Sequence, residues 1–184
     1  MMQELSLNVL DVAENSIRAG ATQVGIEVCE DTAQDILSIR IEDNGCGMTA
    51  EQVARVTDPF YTTRTTRKVG LGVPFFKMAA EMAEGTFDIA SEPGAGTTVS
   101  ATFRHSHVDR MPLGDIASTM ALLICANEPV NIRYRHVVDG REFEAETRQF
   151  CEILEGVPLS SPEIQLFIGE YLKENIGALY APEA

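Results

Sequence analysis

The sequence predicts an α/β fold, with a larger domain over residues 1–106 and a small C-terminal α+β appendage over residues 107–184. Three observations lead there. A stretch of helical periodicity over residues 5–18 runs into two alternating segments, "TQVGIEVCED" and "DILSIRIEDNG", which read as a β-hairpin. A glycine-opened helical stretch, "GLGVPFFKMAAEMAEG", precedes two more strands, "TFDIAS" and "TTVSATF", joined by the Pro–Gly turn "EPGAG". Near residues 105–112 the character changes to an apolar helix, a hairpin closed by Asp139-Gly140 and a final long helix.

The elements follow in order. At about 100° per residue, Leu5, Val9, Leu10, Val12, Ala13 and Ile17 gather on one side of the first helix. Glu4, Asn8, Asp11, Glu14, Asn15 and Arg18 gather on the other, with Glu14 and Arg18 spaced for an ion pair. In the second strand Leu37, Ile39 and Ile41 share a face, and Asp43 is next in that parity. A carboxylate aimed at the apolar side needs a specific donor, because burying it alone is costly. Thr49 is the expected N-cap of a short helix, and residues 57–69, "TDPFYTTRTTRKV", read as a loop. Phe75, Phe76, Met78 and Met82 suit core packing at helical spacing.

In the C-terminal segment Asp115 is the expected cap of "IASTMALLICA". The hairpin register pairs Arg135 with Glu144 and Arg133 with Glu146, and puts Ile132, Tyr134 and His136 on the inner face. His105 is expected exposed at a strand end, and His136 packed. Ser161, with Pro162 in the first turn, caps the closing helix.

Composition limits the function. With 28 acidic and 14 basic side chains the net charge is −14, which argues against nucleic acid and anionic membranes as partners. No apolar run approaches a membrane span, and Glu4 and Asp11 stand where a signal peptide would be basic and apolar, so the chain reads as cytoplasmic. Cys29, Cys46, Cys125 and Cys151 form no CxxC pair and read as reduced, mostly buried thiols rather than a zinc site.

Several residues suit the parts of a nucleotide. Asp43 can accept from an exocyclic amine such as adenine's, while Gly45 and Gly47 allow close backbone approach. The helix start at Gly70, Leu71 and Gly72 offers unpaired N–H groups and a positive dipole end to phosphates. Arg64, Arg67 and Lys68 bring cations to the same anion. The Asn15 amide oxygen is a hard ligand suited to Mg²⁺.

The ordered segments "ENSIRAGAT", "DNGCGM", "DPFYTTR", "GLGV" and "SEPGAGTTVSATF" resemble the ATP-binding domain shared by gyrase B, mismatch-repair and chaperone ATPases and sensor histidine kinases. The likeness covers residues 5–103. It implies a two-layer α/β sandwich of the Bergerat type, with a mixed sheet and helices on one face. It further implies Asn15 for Mg²⁺, Asp43 for the adenine amine, and Gly45, Gly47 and Met48 lining the base. Gly70, Leu71 and Gly72 would cradle phosphates, Arg64 and Lys68 would lie on an ATP lid, and Thr97 would help hold adenine. The whole chain also resembles, more loosely, small ATP-binding proteins encoded beside iron-only hydrogenase subunits.

This sequence departs from the family pattern in places. The family's ATPases carry a Glu four residues before the Mg²⁺ Asn to activate water; here Asp11 stands there, as the candidate catalytic base. Lys68 occupies a place where kinases often have Gly. Histidine kinases present a phosphoacceptor in a pattern close to HExxxPL ahead of the ATP domain, whereas "HVDRMPL" lies downstream and reads as a chance match at His107.

The resemblance implies an ATPase or ATP-dependent kinase that binds ATP and Mg²⁺, with slow hydrolysis or phosphotransfer coupled to lid closure. Two alternatives stay open: a non-enzymatic, ATP-gated interaction switch, and a protein kinase of the anti-sigma-factor Ser/Thr or histidine type. A protein partner is expected, and homodimerisation stays open.

Overall fold

The computed structural model describes residues 4–60 and 71–182. In chain order the elements are α1 (Leu5–Arg18), β1 (Gln23–Asp31), β2 (Ile36–Asp43), α2 (Ala50–Val56), α3 (Gly72–Met82), β3 (Phe87–Glu92), β4 (Gly96–Arg104), α4 (Ile116–Ala126), β5 (Asn131–Val138), β6 (Arg141–Glu146), α5 (Thr147–Ile153) and α6 (Pro162–Leu179). The strands form a six-stranded mixed sheet in the order β3-β4-β2-β1-β5-β6. Neighbours are antiparallel except β1 and β5, which run parallel.

Alternation decides which face is covered. Val24, Ile26 and Val28 of β1 and Leu37, Ile39 and Ile41 of β2 are buried, while Glu27, Arg40 and Glu42 point to the open face. Helices α1, α3, α4 and α6 supply the other half of the core through Leu5, Val9, Phe76, Met120, Ile124 and Leu172. The Phe76 ring lies 6.0 Å from those of Phe87 and Phe103. Met78 and Met82 are not core residues: both stand about half exposed, on the outer side of α3.

Much of the expected local chemistry is present. Thr49 accepts from the Gln52 N–H and completes a capping box, Asp115 accepts from Ser118, and Arg133 and Arg135 sit opposite Glu146 and Glu144. Ser161 occupies its N-cap position, but its hydroxyl donates to the Pro158 carbonyl instead of accepting from the helix. Helix α5 had no expected counterpart; Glu146 and Gln149 close a capping box at its start. Asn8, expected on the polar side of α1, is fully buried, and its amide has no partner among the described residues. Of the four thiols only Cys125 is buried, Cys46 is exposed, and all four are free.

The expected boundary near residues 105–112 falls in the irregular stretch between β4 and α4, and both sheet and core continue across it. That stretch also completes α1: the N–H groups of Leu5 and Ser6 donate to the carbonyls of Pro112 and Leu113, each at 2.9 Å, where Glu4 offers no side-chain cap.

The end of the sheet beyond the β1–β2 turn holds a buried polar cluster. His105 is not free at the strand end: its Nε2 lies 2.9 Å from Glu30 Oε2. His136 is fully buried, with Nδ1 2.7 Å from the Tyr134 hydroxyl and Nε2 3.4 Å from Glu30 Oε1. The Tyr180 hydroxyl, at the C-cap of α6, donates to Glu30 Oε1 and lies 3.2 Å from His136 Nε2. Burial alone would raise the Glu30 pKa, but hydrogen bonds from His136, Tyr180 and His105 outweigh it and bring it down to about 2.

Candidate functional site

The site forms where the C-terminal end of β2, the end of α1 and the start of α3 meet. Asp43 closes β2 in the parity of the buried residues, and the donors it requires are present. The Ser16 hydroxyl donates to Oδ2 at 2.5 Å, and the Gly45 N–H donates to Oδ1 at 2.9 Å. Each carboxylate oxygen then keeps a lone pair for a further donor. Ser16 was not among the expected site residues. Its signal lay in the helix itself, since it precedes Ile17 on the inward side.

Across the β2–β4 ladder Thr97 pairs with Asp43. The Thr97 hydroxyl lies 2.8 Å from that of Ser91, which accepts from the Met48 N–H at 2.8 Å and donates to the Gly96 carbonyl at 3.0 Å. Ser91 thus ties the "DNGCGM" turn to the β3–β4 turn. Gly47 has a φ of +67°, and a Cβ there would lie 1.9 Å from the Glu92 carbonyl oxygen. Its glycine is demanded by the approach of that neighbouring backbone.

At the other end of the crevice Asp11 faces α3. A Cβ on Gly72 would sit 2.5 Å from Asp11 Cβ and 2.8 Å from Oδ2. The carboxylate therefore lies against the first residue of a helix that has no side-chain N-cap. Its pKa is raised, first by burial and then by nearby Glu14, against a lowering by Arg18. Asn15, one turn beyond Asp11 and next to Ser16, is half-buried; among the described residues its Oδ1 accepts only a 3.2 Å bond from Arg18 Nη1. Arg18 itself pairs with Glu14 at 2.8 Å, as their spacing implied.

Of the expected site residues, Asp43, Gly45, Gly47, Met48 and Thr97 gather at the end of β2, and Asp11, Asn15, Leu71 and Gly72 lie on α1 and at the start of α3, which meet at Asp11 and Gly72. Arg64, Lys68 and Gly70, and with them most of the expected lid, lie outside the described residues. Among the described residues no group of three or more His, Cys, Asp or Glu is placed to hold a metal ion. His107 follows Arg104, which pairs with Ile36 at the far end of β2, seven residues and roughly 23 Å of strand from Thr97.

Comparison with known proteins agrees with this architecture. Residues 1–107 match the family described as histidine kinase-, DNA gyrase B-, and HSP90-like ATPase. A non-motile and phage-resistance protein of Caulobacter vibrioides is 34% identical over 115 residues, which is 59% of this chain and 14% of that protein. The sensor protein SrrB of Staphylococcus aureus is 34% identical over 102 residues, 53% of this chain and 17% of that protein. This chain therefore spans less than a fifth of those relatives. Among solved structures, the Aquifex aeolicus MutL ATPase domain complexed with ADP aligns with a TM-score of 0.50 at 16% identity, covering 84% of this chain and 70% of that one. The N-terminal domain of a DNA repair protein aligns with a TM-score of 0.53, also at 16% identity, covering 78% and 52%. The described residues contain no helix long and apolar enough to cross a membrane. By the match over residues 1–107, which hold α1 to α3 and β1 to β4, the chain belongs to the histidine kinase-, DNA gyrase B- and HSP90-like ATPase family.

Proposed function

We propose that this chain binds ATP with Mg²⁺ between α1, the end of β2 and the start of α3, and that it hydrolyses the nucleotide slowly or passes its terminal phosphoryl group to a partner's hydroxyl. One observation carries the reading. Within six residues of α1, Asp11 abuts Gly72 and Ser16 holds Asp43, which supports one helix serving both an amine acceptor and a phosphate seat. The Asp43 carboxylate would accept from the adenine amine, with the Thr97 hydroxyl beside it. The first-turn N–H groups of α3 would meet phosphate oxygens. Asn15 Oδ1 would hold the cation, which supplies charge neutralisation on the phosphates.

Asp11 fits a general base. Its raised pKa makes it more basic than a free aspartate, and it lies where the phosphate end of a nucleotide would reach α3. In hydrolysis it would take a proton from the attacking water as the water oxygen bonds to the γ-phosphorus and the bond to the ADP oxygen breaks. In transfer it would serve a partner's hydroxyl in the same way.

Purified protein given labelled ATP and Mg²⁺ tests this. Phosphate release that vanishes in Asp11→Ala, with ADP binding retained, is the expected result. Binding without turnover, alone or with lysate, would reassign the chain to a nucleotide-gated switch; no binding at all would reject the proposal.

A further inference from the structure

On the open face of the sheet lies a cavity of about 490 Å³, within the range of small-molecule sites, lined among others by Gly25, Glu27, Arg40, Glu42, Arg133 and Arg148. A solvated face explains most of its charges, because they pair with one another. Arg40 reaches Glu42 at 2.6 Å, Arg135 reaches Glu27 at 2.7 Å, and the Asn131 amide donates to Glu146 at 3.2 Å. Two features are left over.

The first is Gly25 in the interior of β1, with Glu42 of β2 and Arg133 of β5 on either side. Glycine in a strand interior weakens the strand and often marks a close approach by a ligand or another backbone. What a Cβ here would meet first is the flexible Glu42 side chain, at 3.2 Å, rather than a backbone. What the missing side chain does is leave the floor of the cavity open.

The second is the pair Arg133 and Arg148. Both are exposed, both line the cavity, and neither has an ion pair among the described residues. In a chain of net charge −14, unpaired guanidiniums beside satisfied carboxylates select for a ligand of opposite sign. The planar guanidinium fork matches carboxylate and phosphate oxygens.

We propose that this cavity binds a small organic polyanion, bearing carboxylate or phosphate groups, with Arg133 and Arg148 as its charge partners and Gly25 as its floor. The cavity reaches the end of β2, where Asp43 lines it, but its floor and its charge partners lie apart from the nucleotide site: the Asp43 carboxylate is held by Ser16 of α1, whereas Gly25 and Arg133 stand in the opposite parity, on the open face.

The test is a titration of the ¹⁵N-labelled chain, without Mg²⁺, with citrate as the carboxylate probe and inorganic pyrophosphate as the phosphate probe. Saturable shifts centred on Gly25, Asn131 and Arg133 are expected with at least one probe, and which one responds identifies the anion class. Arg133→Gln and Arg148→Gln should each weaken that binding at least tenfold with thermal unfolding unchanged, and Gly25→Val should abolish it by filling the floor. Shifts centred on Asn15 and Gly72 instead, a non-saturating response to both probes, or affinity untouched by the two arginine variants would overturn the assignment. Because the readout follows residues of the open face, it is independent of whether the crevice binds ATP.

Discussion

The Ser16 hydroxyl donates to Asp43 Oδ2 at 2.5 Å, joining the last turn of α1 to the last residue of β2. That bond fixes the turn of α1 that carries Asn15 against the end of β2. Ser16→Ala leaves one Asp43 oxygen without its protein donor. It should cost about 1 kcal/mol of stability and weaken ADP binding, both measurable by denaturant titration and calorimetry. Unchanged affinity would show that the bond does not orient Asp43 for its ligand.

The contact between Asp11 and Gly72 predicts a steric coupling. Gly72→Ala forces a methyl to within 2.5 Å of Asp11 Cβ, and overpacking of this kind costs about 1–3 kcal/mol. Asp11→Gly removes the colliding atom at the price of a glycine inside a helix. In a double-mutant cycle the Gly72→Ala penalty should shrink when Asp11 is already glycine. Strictly additive penalties would mean that α1 and α3 do not meet as described.

The raised pKa of Asp11 sets a pH dependence for any turnover. A general base works deprotonated, so the rate should fall as pH drops, with a midpoint above the ordinary aspartate value of 3.8. Removing Glu14, the second cause of the rise, should move that midpoint down. A pH–rate profile of wild type and Glu14→Gln reads both.

These effects also show what the sequence disclosed. Asp43 was legible because parity put a carboxylate on a buried face, and that alone required a donor. Which donor was not legible: Ser16 is one of many serines, and only the crossing of α1 over β2 selects it. Glycines 45 and 47 were legible as places of close approach and Gly72 as the opening of a helix, but what approaches Gly47 is the Glu92 carbonyl, a contact 45 residues away in sequence. The hairpin of β5 and β6 was readable from its turn and charges. Its parallel pairing with β1 was not, because local alternation looks the same whichever neighbour a strand takes. His105 and His136 are separated from Glu30 and Tyr180 by long stretches, so their shared cluster emerges only in the fold.

That cluster predicts acid sensitivity. Glu30 has a folded pKa near 2 against 4.5 when free, so its contribution is fully present above 4.5 and is lost as pH falls toward 2. Thermal unfolding midpoints should decline across that interval more steeply in wild type than in Glu30→Gln. Tyr180→Phe, which removes one of the donors, should reduce the difference. Parallel curves would exclude a linked role for Glu30.

Asn8 predicts a gain. Its amide is fully buried without a partner among the described residues, a cost of about 1–3 kcal/mol, so Asn8→Leu should raise the denaturation midpoint. A loss of stability would mean that the amide has a partner in solution, such as a bound water.

The most direct measurement is a calorimetric titration of the full chain with ADP and Mg²⁺, repeated on Asp43→Ala. The account predicts one saturable site per chain, weakened at least tenfold by the substitution, a loss of about 1.4 kcal/mol or more. No saturable heat, or an affinity that Asp43→Ala leaves intact, would contradict it.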